Sequence, residues 1–172
     1  SLWATGSNSS GELGDGSKTA RFGLVQIMSG GVAAVSAGGS HTVLLKTDGT
    51  LWSTGSNAAG QLADGTTTAR NTFAQVASGV TRISAGSSYT GWITDDGELH
   101  LVGLNSDGQL GDGTLTPRLV PASPATGVYE VWCGSATTFY LTSDHVLWAT
   151  GSNTQGMFGT GRTANPASPR IV

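Results

Sequence analysis

"LWATGSNSSGELGDG" (residues 2–16) returns as "LWSTGSNAAGQLADG" (51–65), "LHLVGLNSDGQLGDG" (99–113) and "LWATGSNTQGMFGTG" (147–161). Gly6, Gly55, Gly103 and Gly151 are spaced by 49, 48 and 48 residues, and Asn8, Asn57, Asn105 and Asn153 keep that step. Two further markers recur between the copies. One is "VAAVSAG" (32–38), "VTRISAG" (80–86) and "VYEVWCG" (128–134); the other is "HTVLLKTDG" (41–49), "YTGWITDDG" (89–97) and "TTFYLTSDH" (137–145). A fixed period of this length is the mark of a repeat architecture. The repeat units run approximately 1–49, 50–97, 98–145 and 146–172, the last one partial.

Each unit reads as four short strands. In the middle of the chain, Val80–Ala85 alternates V-T-R-I-S-A and Tyr89–Thr94 is aromatic and β-branched. Leu99–Gly103 closes on glycine, and Arg118–Ala122 holds Pro121 after Pro117, as an edge strand tolerates. Asp48-Gly49 and Asp96-Gly97 mark tight hairpins. No stretch carries a sustained helical period. Four strands per unit of this length specify an all-β propeller of four-stranded antiparallel blades. A lone blade leaves both faces open, and stacking on the next one covers them. Counting from the "VSAG" strand, Leu2–Gly6 and Leu24–Met28 are the last two strands of one blade. Complete blades follow over roughly 32–77, 80–122 and 128–172, about three and a half in all.

Composition agrees. Charged residues are 11% and Gly numbers 27, yet 37% of residues are hydrophobic and fall in ordered alternation, which argues for a folded, turn-rich chain rather than disorder. The formal net charge is −3 and the lysines are Lys18 and Lys46 alone, which argues against a broad nucleic-acid surface. No apolar run is long enough to span a bilayer as a helix. A single cysteine, Cys133, excludes an intrachain disulfide framework.

The pattern G-x-N-x-x-G-Q-L-G-x-G, an A-G dipeptide and H-T before a D-G turn resembles the regulator of chromosome condensation repeat family, most closely in "LWSTGSNAAGQLADG", "VSAGGSHTVLLKTDG" and "LNSDGQLGDG". The resemblance covers nearly the whole chain. Single copies depart at Ala63, Phe158, Thr160, Tyr89 and Thr137. The family's full propellers have seven blades, so the resemblance implies an open segment of a seven-bladed ring that needs further blades or other subunits to complete it. An isolated arc is expected not to be a stable closed monomer.

No catalytic constellation is legible. His41, His100 and His145 each stand where sister units carry other residues, and Cys133 stands where they carry Ala37 and Ala85. Asp15, Asp64 and Asp112 sit in D-G-[ST], which lacks the acidic series of a calcium loop and reads as turn capping. The glycine-rich signature has no following helix and no lysine, so it is no phosphate cradle. The expectation is therefore no enzyme, no metal and no cofactor. Arg21, Arg70 and Arg118 each lie six residues after the recurrent Asp. They read first as Asp–Arg bridges that fix loops, and second as a repeated anion contact. Positions that differ between copies are the better recognition candidates: His41, Tyr89 and Thr137 at one equivalent site, and the tips Ser9-Ser10, Ala58-Ala59, Ser106-Asp107 and Thr154-Gln155.

These readings point to a recognition or structural module that binds a protein or a host-surface glycan through a propeller face, with no nucleic-acid or membrane partner. The low-lysine, Ser/Thr/Gly/Ala-rich composition favours an extracellular, cell-surface or virion setting over a nuclear one, such as adhesion or a phage tail, fibre or decoration protein. Alternatives are an enzyme-inhibiting propeller and a guanine-nucleotide exchange factor, the latter implied by the family resemblance. Exchange activity depends on inserted loops, and units of 48 or 49 residues leave no room for a large insertion.

Overall fold

The computed structural model describes residues 1–172, all of them strand, turn or loop. Fourteen strands follow in chain order: β1 (Leu2–Gly6), β2 (Arg21–Met28), β3 (Val32–Ala37), β4 (His41–Lys46), β5 (Leu51–Gly55), β6 (Arg70–Ala77), β7 (Val80–Ala85), β8 (Tyr89–Thr94), β9 (Leu99–Gly103), β10 (Arg118–Ala125), β11 (Val128–Cys133), β12 (Thr137–Thr142), β13 (Leu147–Gly151) and β14 (Arg170–Ile171). They form three four-stranded antiparallel meanders, β3-β4-β5-β6, β7-β8-β9-β10 and β11-β12-β13-β14, plus the pair β1-β2. The protein is thus a partial propeller: three blades and the outer half of another.

The first strand of each blade departs from strict alternation. Register shifts fall between Val32 and Ala34, Val80 and Arg82, and Val128 and Glu130. A bulge inserts one residue and lets two neighbours face the same way. Thr81 and Arg82 are both exposed while Val80 is buried, where alternation predicts Arg82 turned inward with Val80. The outer strands differ too: β10 runs on to Ala125, whereas β14 keeps only two residues.

The core lies in the seams between blades rather than within any sheet. One cluster joins Val43, Leu45 and Leu51 of the first complete blade to Val80, Ala85, Trp92 and Val102 of the second. The other joins Tyr89, Ile93, Leu99 and Leu101 with Leu110 to Val128, Val131 and Tyr140. Each such side chain contributes roughly 1.5–3 kcal/mol by leaving water. Because the partners lie about one period apart in sequence, repetition itself supplies the core.

Hydrogen bonds recur across the same seams. Thr42 Oγ1 donates to the Glu12 carbonyl, Thr90 Oγ1 to that of Gln61 and Thr138 Oγ1 to that of Gln109, all at 2.7 Å. Ser36 and Ser84 hydroxyls accept the next blade's Ala85 and Cys133 N–H groups, at 2.9 and 2.8 Å. Each of the first three signature loops also lies against the outer segment of the following blade, with Gly11 on Asn71, Gly60 on Leu119 and Gly108 on Ala167. Gly16 N–H donates to the Asn71 carbonyl and Asn71 Nδ2 donates back to Gly16, both at 2.8 Å.

That close approach explains the glycines. Gly14 has φ +71°, and a methyl there would collide with the Phe73 ring of β6. Gly14→Ala is expected to cost about 2–4 kcal/mol, the sum of a left-handed backbone and an overpacked seam. Urea unfolding of the native and variant chains measures it; a midpoint shift equivalent to less than about 0.5 kcal/mol contradicts the account.

Candidate functional site

The signature loops are built around a buried asparagine. Asn8, Asn57 and Asn105 are fully buried, at 0% exposure. Each Oδ1 accepts the backbone N–H of Leu13, Leu62 or Leu110 at 2.9–3.0 Å. Each Nδ2 donates to the loop aspartate, Asp15, Asp64 or Asp112, at 3.0–3.1 Å, and to the carbonyl of Ser17, Thr66 or Thr114. The aspartate accepts the N–H and hydroxyl of that same residue. The arginine closes the knot: Arg21–Asp15 at 2.5 Å, Arg70–Asp64 at 2.6 Å and Arg118–Asp112 at 2.9 Å. All three guanidinium groups are therefore committed to their own loops.

The charges follow this geometry. The Asp15 carboxyl is held well below the usual carboxylate range by the Ser17 hydroxyl and N–H, helped by Arg21 and Asn8. For Asp64 and Asp112, partial burial pushes upward, but the Thr66 or Thr114 hydroxyl and N–H, the arginine and the asparagine outweigh it and the net shift is down. An ionised acid inside a full set of donors holds a loop; it has no spare capacity for proton transfer.

The knots present the variable tips. Ser9, Ala58, Ser106, Thr154 and Gln155 are exposed, while Ser10, Ala59 and Asp107 are half-buried. Asp107 also reaches the next unit, accepting Asn165 Nδ2 at 3.1 Å. The fourth loop is built differently. Thr160 replaces the aspartate, and Asn153 instead donates to the Arg162 carbonyl at 2.8 Å and takes Asn165 Oδ1 on its N–H at 2.7 Å.

The other variable set lies elsewhere. Thr137, 6% exposed, keeps its side chain within its own blade, donating to the Ser152 carbonyl and lining a cavity with Trp132 and Met157, whereas His41 and Tyr89, 1% and 0% exposed, are blade-seam residues and offer a partner no surface. His41 Nε2 meets Thr90 Oγ1 at 2.9 Å, and Tyr89 OH donates to the Thr137 carbonyl at 2.7 Å. They vary because each seam is filled by its own pair of blades, a packing cause of variation that sequence alone cannot separate from recognition.

The structure also joins residues that the sequence left apart. Ser123 Oγ lies 3.1 Å from His100 Nδ1, and Glu98 lies 3.4 Å from His100 Nε2. The imidazole stacks on Trp92 with ring centres 5.2 Å apart. This set borders none of the five principal cavities. The Cys133 thiol packs on Gly91, and burial pushes it up to about 12, away from thiolate chemistry. No group of three or more His, Cys, Asp or Glu residues is placed to hold a metal ion.

The family model for the regulator of chromosome condensation (RCC1) repeat matches residues 32–61. No curated protein matches the sequence. Among solved structures, human WBSCR16 superposes with a TM-score of 0.83 at 20% identity, over 99% of this chain and 46% of that one. Yeast RCC1 (Prp20), solved bound to Kap60, gives 0.80 at 18% identity, over 99% and 44%. Prp20p from Saccharomyces cerevisiae, described with its binding properties to Gsp1p and histones, gives 0.82 at 19%, over 99% and 45%. The chain spans less than half the length of each. Residues 32–61 thus match the regulator of chromosome condensation repeat, and the chain as a whole folds as a partial β-propeller like part of those structures.

Proposed function

We propose that the chain is a non-enzymatic recognition module, a propeller arc that binds a protein or glycan through its signature-loop tips. One observation carries this reading: three closely similar Asn–Asp–Arg knots hold tips whose side chains differ, Ser9-Ser10, Ala58-Ala59 and Ser106-Asp107. A scaffold that spends its buried polar groups on fixing loops, and leaves the tips free to vary, is arranged for asymmetric contact. The binding described for Prp20p is consistent with a protein partner. The scarcity of lysine and abundance of Ser, Thr, Gly and Ala favour a cell-surface, secreted or virion setting, with adhesion or attachment as the role.

The test places a photo-crosslinking residue at Ala58 or Gln155 of the full chain and identifies what it captures from host-cell or virion surfaces. The captured partner is then titrated against Asp107→Ala/Gln155→Ala. Affinity is expected to fall at least about tenfold, as for loss of a contact near the centre of an interface, with the melting temperature unchanged. Undiminished affinity when all four tips are replaced by Gly-Ser overturns the reading.

A further inference from the structure

One position in the fold is occupied differently in each blade. It is the cross-strand pair on the second and third strands, which is Leu44/Trp52, Trp92/His100 and Tyr140/Trp148 in turn. In the second blade the polar group there is fully engaged: His100 bonds Ser123 of β10 and faces Glu98. In the third blade the residues in those two places are Ile171 and Val146, so no polar side chain is supplied to Trp148, the ring that stands in His100's place, or to Tyr140 across from it. Tyr140 is 3% exposed, and desolvation acts on its hydroxyl with no hydrogen bond to offset it. Because β14 is only two residues long, the seam stays open beside it.

The opening is a cavity of about 480 Å³ between the second and third blades, at the end away from the signature loops. Tyr140 and Trp148 line it, stacked with ring centres 6.3 Å apart and planes 6° apart. Pro124 forms another wall, and Thr126, Ser143 and Asp144 supply polar groups. Asp144 Oδ1 already accepts Thr142 Oγ1, at 2.5 Å, and the Val146 N–H, which leaves Oδ2 for a ligand.

We propose that this cavity is a carbohydrate subsite for one or two neutral sugar rings. Apolar ring surface beside hydroxyls and one carboxylate matches a pyranose, whose C–H face packs on an aromatic while its hydroxyls both donate and accept. The volume lies within the range of small-molecule sites. No cation lines the cavity, which disfavours an acidic ligand, and a lone exposed carboxylate among hydroxyls disfavours an arginine or lysine side chain. The Tyr140 hydroxyl makes no hydrogen bond within the chain and lines the cavity, free to meet a sugar hydroxyl. This goes beyond the recognition reading: it assigns a second site, remote from the loop tips, and names its ligand class.

The probes are N,N′-diacetylchitobiose, cellobiose and maltose, with arginine amide as the contrast, titrated into the full chain while the Trp148 indole N–H is followed by NMR. At least one disaccharide is expected to shift that signal saturably. Tyr140→Phe, which keeps the ring, is expected to weaken binding at least about fivefold through loss of one hydrogen bond, with the thermal midpoint retained. Asp144→Asn is expected to weaken it as well. The subsite is overturned if no disaccharide gives a saturable shift, if Tyr140→Phe binds as well as the native chain, or if arginine amide is the preferred ligand. Crosslinking at the loop tips reports separately: tips that capture a partner while the cavity ignores sugars refute only this subsite.

Discussion

Asn57→Ala is expected to lower stability by about 3–5 kcal/mol, more than any change at the arginine of the same loop, because it strands several buried polar groups at once. The amide accepts the Leu62 N–H at 2.9 Å. It also donates to Asp64 and to the Thr66 and Thr68 carbonyls at 3.0–3.2 Å. Alanine removes all of these while the backbone stays buried. The loop further fixes the Gln61 carbonyl, which receives Thr90 from the next blade, so the damage extends into a seam. Arg70→Ala removes the partner of a largely buried carboxylate, but Thr66 and Asn57 still serve Asp64, so the expected cost is smaller, about 1–2 kcal/mol. Asn57→Asp sets a second carboxylate against Asp64 and belongs with the severe change. Denaturant unfolding of the three variants at neutral pH ranks them. A greater loss for Arg70→Ala than for Asn57→Ala would show that the ion pair, rather than the buried amide, holds the loop.

This ranking bears on what the sequence could reveal. The four-stranded unit was legible because its markers are local: D-G turns, short β-branched runs and glycines at recurring close approaches. Gly14 lies too near the Phe73 ring for a side chain, and where a copy departs, at Ala63, the residue still takes the left-handed conformation, φ +62°. The bulges after Val32, Val80 and Val128 were not legible, because V-T-R-I satisfies simple alternation equally well. The loop site was half legible. The six-residue step from Asp64 to Arg70 implied a bridge, but the central role of Asn57 is a matter of burial and of four contacts spread over twelve residues. The recurrence of Asn every 48 or 49 residues was the available signal. Tyr140 gave no signal at all. Its place in an open seam is set by residues remote in sequence, Pro124 and Thr126 of the preceding blade and Pro169 after the fourth signature, which line the same cavity. His41 and Tyr89 show the converse, for their variation across repeats tracks the neighbouring blade each one packs against.

The seam histidine gives the pH effect expected between pH 6.5 and 4. Thr90 Oγ1 donates to the Gln61 carbonyl, so toward His41 it accepts, and the proton lies on Nε2. Nδ1 is then buried without a partner. A second proton there is opposed by desolvation, which lowers the His41 pKa from 6.5 to about 4. The folded chain therefore binds this proton less readily than the unfolded one. Stability attributable to His41 is complete above pH 6.5, declines as pH falls, and is lost by about pH 4, a total of about 3 kcal/mol. The loop carboxylates act below this window, since their folded-state values are depressed from 3.8. Tyr is the residue that the next blade uses at this site, and Gly38 underlies the imidazole as Gly86 underlies the Tyr89 ring. His41→Tyr is thus expected to fold and to flatten the stability profile between pH 6.5 and 4. Urea midpoints taken at half-unit steps for both chains measure this. If the native and His41→Tyr profiles run parallel through the window, the acid sensitivity does not originate at this seam.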